Sequence, residues 1–140
     1  MVVGTDHVQR GHLDSTPAAL GLGYALLVAN ILLINGFPDA RADASVGKRT
    51  LVVQLGARGA AGVYTLMALA AHGLLALSVV THLAPAGAWW GLVSAPTALG
   101  AAVLLWQRAA TPSTLRPAIG LSIASAVLHG LGLGLGLWLG

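Results

Sequence analysis

The stretch INGFPDARADASVGKRTLVVQLG, Ile34–Gly56, decides how the rest of the chain is read. The protein has four acidic residues, Asp6, Asp14, Asp39 and Asp43, and two of them stand here. Of the seven Lys and Arg residues, Arg41, Lys48 and Arg49 lie inside the stretch and Arg58 follows two positions later. Outside it charge disappears for long intervals: Pro17–Phe37, Ala60–Leu83, Trp89–Gln107 and Ala118–Leu139 contain no charged side chain. Each interval reaches the ~18–20 residues a helix needs to cross ~30 Å of hydrocarbon. The charged stretch is then a connection between membrane spans. The expected fold is all-α: a polytopic transmembrane helical bundle of about four spans at residues 17–37, 60–83, 89–107 and 118–139, forming a single transmembrane domain over 1–140.

Composition agrees with that class and removes others. Hydrophobic residues make up 56% and charged residues 8%, against roughly 25% charged in ordinary soluble domains. A soluble globule of this length lacks the interior to bury so much apolar surface. The formal charge of +3 is no nucleic-acid footprint, because the cations sit beside spans, where they set topology. Cysteine is absent, which excludes disulfides, thiolate metal sites and cysteine nucleophiles. The first residues, MVVGTDHVQRGHLD, show no basic leader followed by an apolar core, so insertion is expected to rely on the spans themselves.

The cations also predict an orientation. Residues 38–59 and 108–117 hold six of the seven Lys and Arg, and with four spans both segments fall on one side, which the positive-inside bias makes cytoplasmic. Both termini then face out. Trp89, Trp90, Trp106 and Trp138 mark span ends, where interfacial indoles are expected. Gly130–Gly134 and Gly132–Gly136 form small-xxx-small pairs in the last span, which predicts close helix packing there. Pro96 is expected to kink the third span, and Gly36 with Pro38 to interrupt the first, freeing the carbonyl of Ile34.

Asn35, Asp39 and Asp43 recur every four residues, so on a helix they drift by only ~40° per step and make one polar stripe. Two carboxylates a turn apart plus an amide are hard oxygen donors of the kind Mg²⁺ takes while keeping waters and binding phosphates. Lys48 and Arg49 follow within one loop length and suit phosphate oxygens. The same residues also fit a solvated helix end with a surface ion-pair network of little energetic worth. Spacing alone leaves both readings open.

The run carried by Asp39, Asp43, Gly47, Lys48, Arg49, Thr50 and Gly56 resembles the second aspartate-rich motif of the UbiA superfamily of intramembrane prenyltransferases. Its pattern is D-x-x-x-D, a G-K-R-T-like run and an apolar stretch ending in Gly. The G-K-R-T branch is similar to the dihydroxynaphthoate prenyltransferases of menaquinone synthesis, alongside related quinone and pigment enzymes. The match is specific over about residues 20–58, and elsewhere lies in the pattern of spans. The resemblance implies a nine-span helical fold in a bacterial cytoplasmic (inner) membrane, with a central cavity open to lipid. A polyprenyl diphosphate would bind there through Mg²⁺ held by two aspartate-rich motifs, and its ionisation would give an allylic cation captured by an aromatic acceptor such as dihydroxynaphthoate. By this resemblance Asp39 and Asp43 are the catalytic metal ligands, and Asn35, Lys48 and Arg49 contact substrate.

The family's first motif, N-x-x-x-D-x-x-x-D on an earlier span, is not in these 140 residues. Asp6 and Asp14 lie in a polar segment expected on the outer side. The chain is thus expected to correspond to the C-terminal half of the fold, its missing spans supplied by another polypeptide or a longer reading frame. A non-catalytic remnant or partner-binding membrane subunit is the alternative. Within the spans, His72 and His129, and more remotely His82, are candidate proton acceptors, against a structural role as neutral imidazoles bonded between helices. Tyr24 and Tyr64 could line a prenyl path, against plain packing.

Overall fold

A computed structural model describes residues 2–12 and 15–139. Those residues form five α-helices: α1 (Val2–Arg10), α2 (Ser15–Ser45), α3 (Leu51–Val80), α4 (Ala95–Arg108) and α5 (Arg116–Leu139). A 3-10 segment, Ala86–Ser94, leads into α4, and a short one, Pro112–Thr114, joins α4 to α5. The architecture is all-helical, as the apolar runs require. Four stretches, Ser15–Ser45, Leu51–Val80, Ala86–Arg108 and Arg116–Leu139, are long and apolar enough to cross a membrane. They alternate in direction, so the C-terminal ends of α2 and α4 and the N-terminal ends of α3 and α5 share one end of the bundle.

The core is divided along the axis. At the charged end Ile34, Phe37, Tyr64, Leu105 and Leu115 bury together. Leu27, Ala71 and Ala126 pack in a middle layer, and Leu75, Val79 and Leu133 close the far end. Large residues facing outward, such as Leu32, Leu66, Leu69 and Val127, are exposed. This is the outward apolar surface a helix bundle keeps when its solvent is lipid.

Three departures from the sequence-based expectations bear on the site. First, Pro38 does not interrupt the first span: α2 continues through it to Ser45. Proline removes the bond back to Ile34 and crowds that carbonyl, but its fixed φ is compatible with a helix, and α2 absorbs the cost seven residues before its end at Ser45. At 1.5 Å per residue the 31-residue helix is ~46 Å long, which overshoots the ~30 Å hydrocarbon layer. The overshoot carries both aspartates. Second, the stretch 38–59 is mostly helical, with an irregular connection of only five residues, 46–50, between α2 and α3. Third, the N-terminal segment contains α1, ending at Gly11 with φ 76°. Asp6 lies on α1, and Asp14 lies outside the described residues.

The third span does change character at Pro96, which occupies the first turn of α4 directly after the 3-10 segment. That segment meets α5 at very close range. A Cβ on Gly132 would overlap the carbonyl of Trp90, and a Cβ on Gly136 the carbonyl of Gly87. A methyl on Gly130 would stand 3.3 Å from the Tyr24 ring instead, and one on Gly134 would meet nothing. Of the two expected pairs, Gly132–Gly136 forms the tight crossing.

Candidate functional site

The connection from α2 to α3 is built by its own sequence. Gly47 adopts φ 76°, the left-handed conformation that ends helices at low cost only in glycine. Lys48 N–H donates to the Asp43 carbonyl at 2.9 Å and Gly47 N–H to the Ala44 carbonyl at 3.1 Å, the paired bonds of a Schellman ending. Three residues on, Thr50 caps α3, its hydroxyl accepting from Val53 N–H at 3.4 Å. Gly56 then sits at φ 69°, ψ 170°, which separates the first turn of α3 from the rest of the helix. That region of backbone space belongs almost entirely to glycine. Gly47, Thr50 and Gly56 therefore shape the backbone, leaving Lys48 and Arg49, with Asp39 and Asp43 before them, as the motif's chemical side chains.

The reversal brings Lys48 back over the helix it has just left. Its Nζ stands 3.1 Å from Asp43 Oδ1, with the lysine 64% and the aspartate 13% exposed. Asn35 and Asp39 are exposed on the same face of α2. Asp39 has no hydrogen-bond or ion-pair partner among the described residues, and neither has the Arg49 guanidinium, although the Arg49 carbonyl accepts from Gln54 Nε2 at 2.7 Å. All five sequence-predicted site residues thus gather at one end of the bundle, around the last turns of α2 and the following connection. As a donor set they suit a hard cation: two carboxylates one turn apart, one of them unpartnered, and an amide a further turn back. The set is sparse, since no group of three or more His, Asp or Glu able to hold a metal occurs among the described residues.

The intramembrane histidines belong to a different place. His72 on α3 and His129 on α5 both reach Ser94, at 2.8 Å through Nε2 and 3.3 Å through Nδ1 respectively. His72 Nδ1 lies 2.8 Å from the Ala68 carbonyl and donates to it, while the Ser94 hydroxyl, with a single proton, faces both His72 Nε2 and the Gly91 carbonyl, which it reaches at 2.9 Å. His129 Nε2 is buried without a partner among the described residues. Ser125 adds a 3.4 Å bond to the Ser94 carbonyl, and Tyr24 stacks on His129 at 6.4 Å between ring centres. Tyr24 and Asp39 are fifteen residues apart on α2, ~22 Å along the axis. The histidine pair therefore does not share a site with the aspartates. His82 is exposed beyond the end of α3, with φ 58°. Tyr64 is buried in the core.

Ser94, Ser125 and Asn30 were not among the sequence-predicted residues. Asn30 is buried on α2 and donates to the Tyr64 carbonyl at 3.0 Å. Each is an uncharged polar residue inside a charge-free run, which is the one signal that could have marked them.

An all-helical bundle with four apolar helices and an aspartate stripe at its charged end defines a class, the helical membrane proteins with a polar site at one membrane face. A profile of the UbiA prenyltransferase family matches residues 1–119, and the chain belongs to that family. It is 32% identical over 142 aligned residues to the 1,4-dihydroxy-2-naphthoate octaprenyltransferase of Haemophilus influenzae, an alignment covering 96% of this chain. The chain spans less than half the length of that relative, 45%. No solved structure matches it.

Proposed function

We propose that this chain is the diphosphate-binding part of an intramembrane aromatic prenyltransferase, acting on a polyprenyl diphosphate and an aromatic quinone precursor such as dihydroxynaphthoate. The observation that supports this most is the helical overshoot of α2, which presents Asn35, Asp39 and Asp43 as one stripe beside Lys48 and Arg49. Family membership and the naphthoate-prenylating relative support the reaction class. In this reading Asp39 and Asp43 hold Mg²⁺, which when bound supplies positive charge against the departing diphosphate. Lys48 and Arg49 bind diphosphate oxygens, Arg49 through its unpaired guanidinium and Lys48 by exchanging its contact with Asp43. Asn35, one turn deeper, orients the bound group with its amide.

The same reading sets the surroundings of the site. The segments 38–59 and 108–117 face the cytoplasm across a bacterial inner membrane, and the four spans work as one domain. Further spans, from another polypeptide or a longer chain, supply the remaining acidic donors and the acceptor pocket. The scarcity of carboxylates favours a second reading, a non-catalytic membrane subunit that binds a partner. The two separate in an assay of the chain co-expressed with a polypeptide carrying the missing spans. Mg²⁺-dependent prenyl transfer lost on Asp39→Asn supports the enzyme, and transfer unaffected by that change contradicts it.

A further inference from the structure

A cleft of about 450 Å³ opens at the charged end between α2, the start of α3 and the α4–α5 connection. Its walls include Phe37, Val52, Ala57 and Pro112, and its polar lining includes Arg41 and Ser113. We propose that this cleft binds the phosphodiester headgroup of an anionic phospholipid, with Arg41 as the phosphate contact and Ser113 as a second donor.

Both polar groups are available. Neither the Arg41 guanidinium nor the Ser113 hydroxyl has a hydrogen-bond or ion-pair partner among the described residues. A guanidinium matches a phosphate bidentately, and its weak hydration suits a half-apolar cleft. The surroundings select for negative charge. Arg41, Lys48, Arg49, Arg58, Arg108 and Arg116 gather at this end against the two carboxylates Asp39 and Asp43, and Lys48 alone of the six is ion-paired among the described residues. Basic pockets between helix ends at a membrane face are where anionic headgroups are held. The apolar walls complete the match: a lipid offers glycerol and the first acyl carbons beneath its phosphate, whereas a free anion offers nothing to Phe37 or Val52.

The substrates of the proposed reaction do not fit this place. At 100° per residue the cleft-facing residues Phe37 and Arg41 point roughly 160° away from the centre of the Asn35–Asp39–Asp43 stripe around α2, and Ala40 about 100°. A helix with its side chains is ~10–12 Å across. A diphosphate held at Asp39 cannot reach Arg41, and an acceptor seated in the cleft cannot meet the carbon next to that diphosphate. The same separation keeps the two carboxylates from repelling an anion in the cleft. The proposal rests on the chain crossing a membrane and not on prenyl transfer, so the two fail independently.

The test is native mass spectrometry of the full chain in neutral detergent, without Mg²⁺ or prenyl substrate, offered phosphatidylglycerol, phosphatidylcholine or inorganic phosphate. Phosphatidylglycerol should be retained in preference to phosphatidylcholine. Arg41→Ala should lower that retention by about tenfold, the scale of one lost charge-assisted contact. Arg41 is exposed, so the change leaves the fold intact, and Arg58→Ala, at the same end but outside the cleft, should retain the lipid. Ser113→Ala should show a smaller loss than Arg41→Ala. Equal retention of the two lipids, undiminished binding in Arg41→Ala, or inorganic phosphate held as well as the lipid would each overturn the assignment.

Discussion

At the residue scale the aspartate-rich motif divides into positions that shape the chain and positions that carry charge. Gly56 is the most constrained of the first group, because φ 69° with ψ 170° is closed to side chains. Gly56→Ala should destabilise the protein by ~1–3 kcal/mol, read as a lower midpoint in a detergent thermal-denaturation assay. An unchanged midpoint would mean that the break in α3 is not required. Lys48 belongs to the second group. Its contact with Asp43 is exposed, and such pairs are worth ~0–1 kcal/mol, so Lys48→Ala should leave stability nearly unchanged. It should instead raise the apparent KM for the prenyl diphosphate in an assembled enzyme while largely sparing kcat, since it holds substrate in ground and transition states alike. A large loss of stability with normal KM would assign Lys48 to the fold.

At the element scale the tightest constraint is the crossing of α5 over the 3-10 segment. Gly132→Ala would drive a methyl into the Trp90 carbonyl and should cost ~1–3 kcal/mol as overpacking. Gly134→Ala, with no neighbour to meet, should be neutral or stabilising by up to ~1 kcal/mol through the helix preference of alanine. Comparing the two midpoints checks the packing, and equal effects would contradict it. The glycine pattern revealed that α5 packs closely but not through which glycines, because a period of two turns ~200° per step and sets glycines on two opposite faces of a helix. That the chain forms four long apolar helices was legible for a simple reason: charge-free length is a one-dimensional property that lipid enforces directly. Helix continuity was not. Pro38 reads as a break by local rules, through a lost bond and a clash with the Ile34 carbonyl that cost ~3 kcal/mol, yet α2 runs through it to Ser45. The polar layer of His72, Ser94 and His129 was half legible. The histidines stand out in an apolar run, while the serine that joins them is reached only through tertiary packing.

At the scale of the whole molecule, the chain places eight of its eleven charged residues at one end of four alternating helices, so topology and function make a joint prediction. Single cysteines at Ala44 and Ala86 should label from opposite faces of sealed vesicles, with Ala44 on the cytoplasmic side. Labelling of both from one face would remove the alternation on which the site depends. The stripe itself was visible in the sequence as a four-residue spacing; that one unbroken helix carries it through Pro38 to Ser45 was not, since local rules read Pro38 as a break. What the stripe does is read out by the Mg²⁺-dependent rate of prenyl transfer in the chain assembled with its complementary spans, comparing wild type with Asp39→Asn and Asp43→Asn. The amide keeps size and an oxygen donor but loses the charge that holds a hard dication. Each variant should lose ~3–4 kcal/mol of transition-state stabilisation, about two to three orders of magnitude in rate, while inserting normally into the membrane. Wild-type rates and unaltered Mg²⁺ dependence in both variants would reduce the stripe to a solvated helix end.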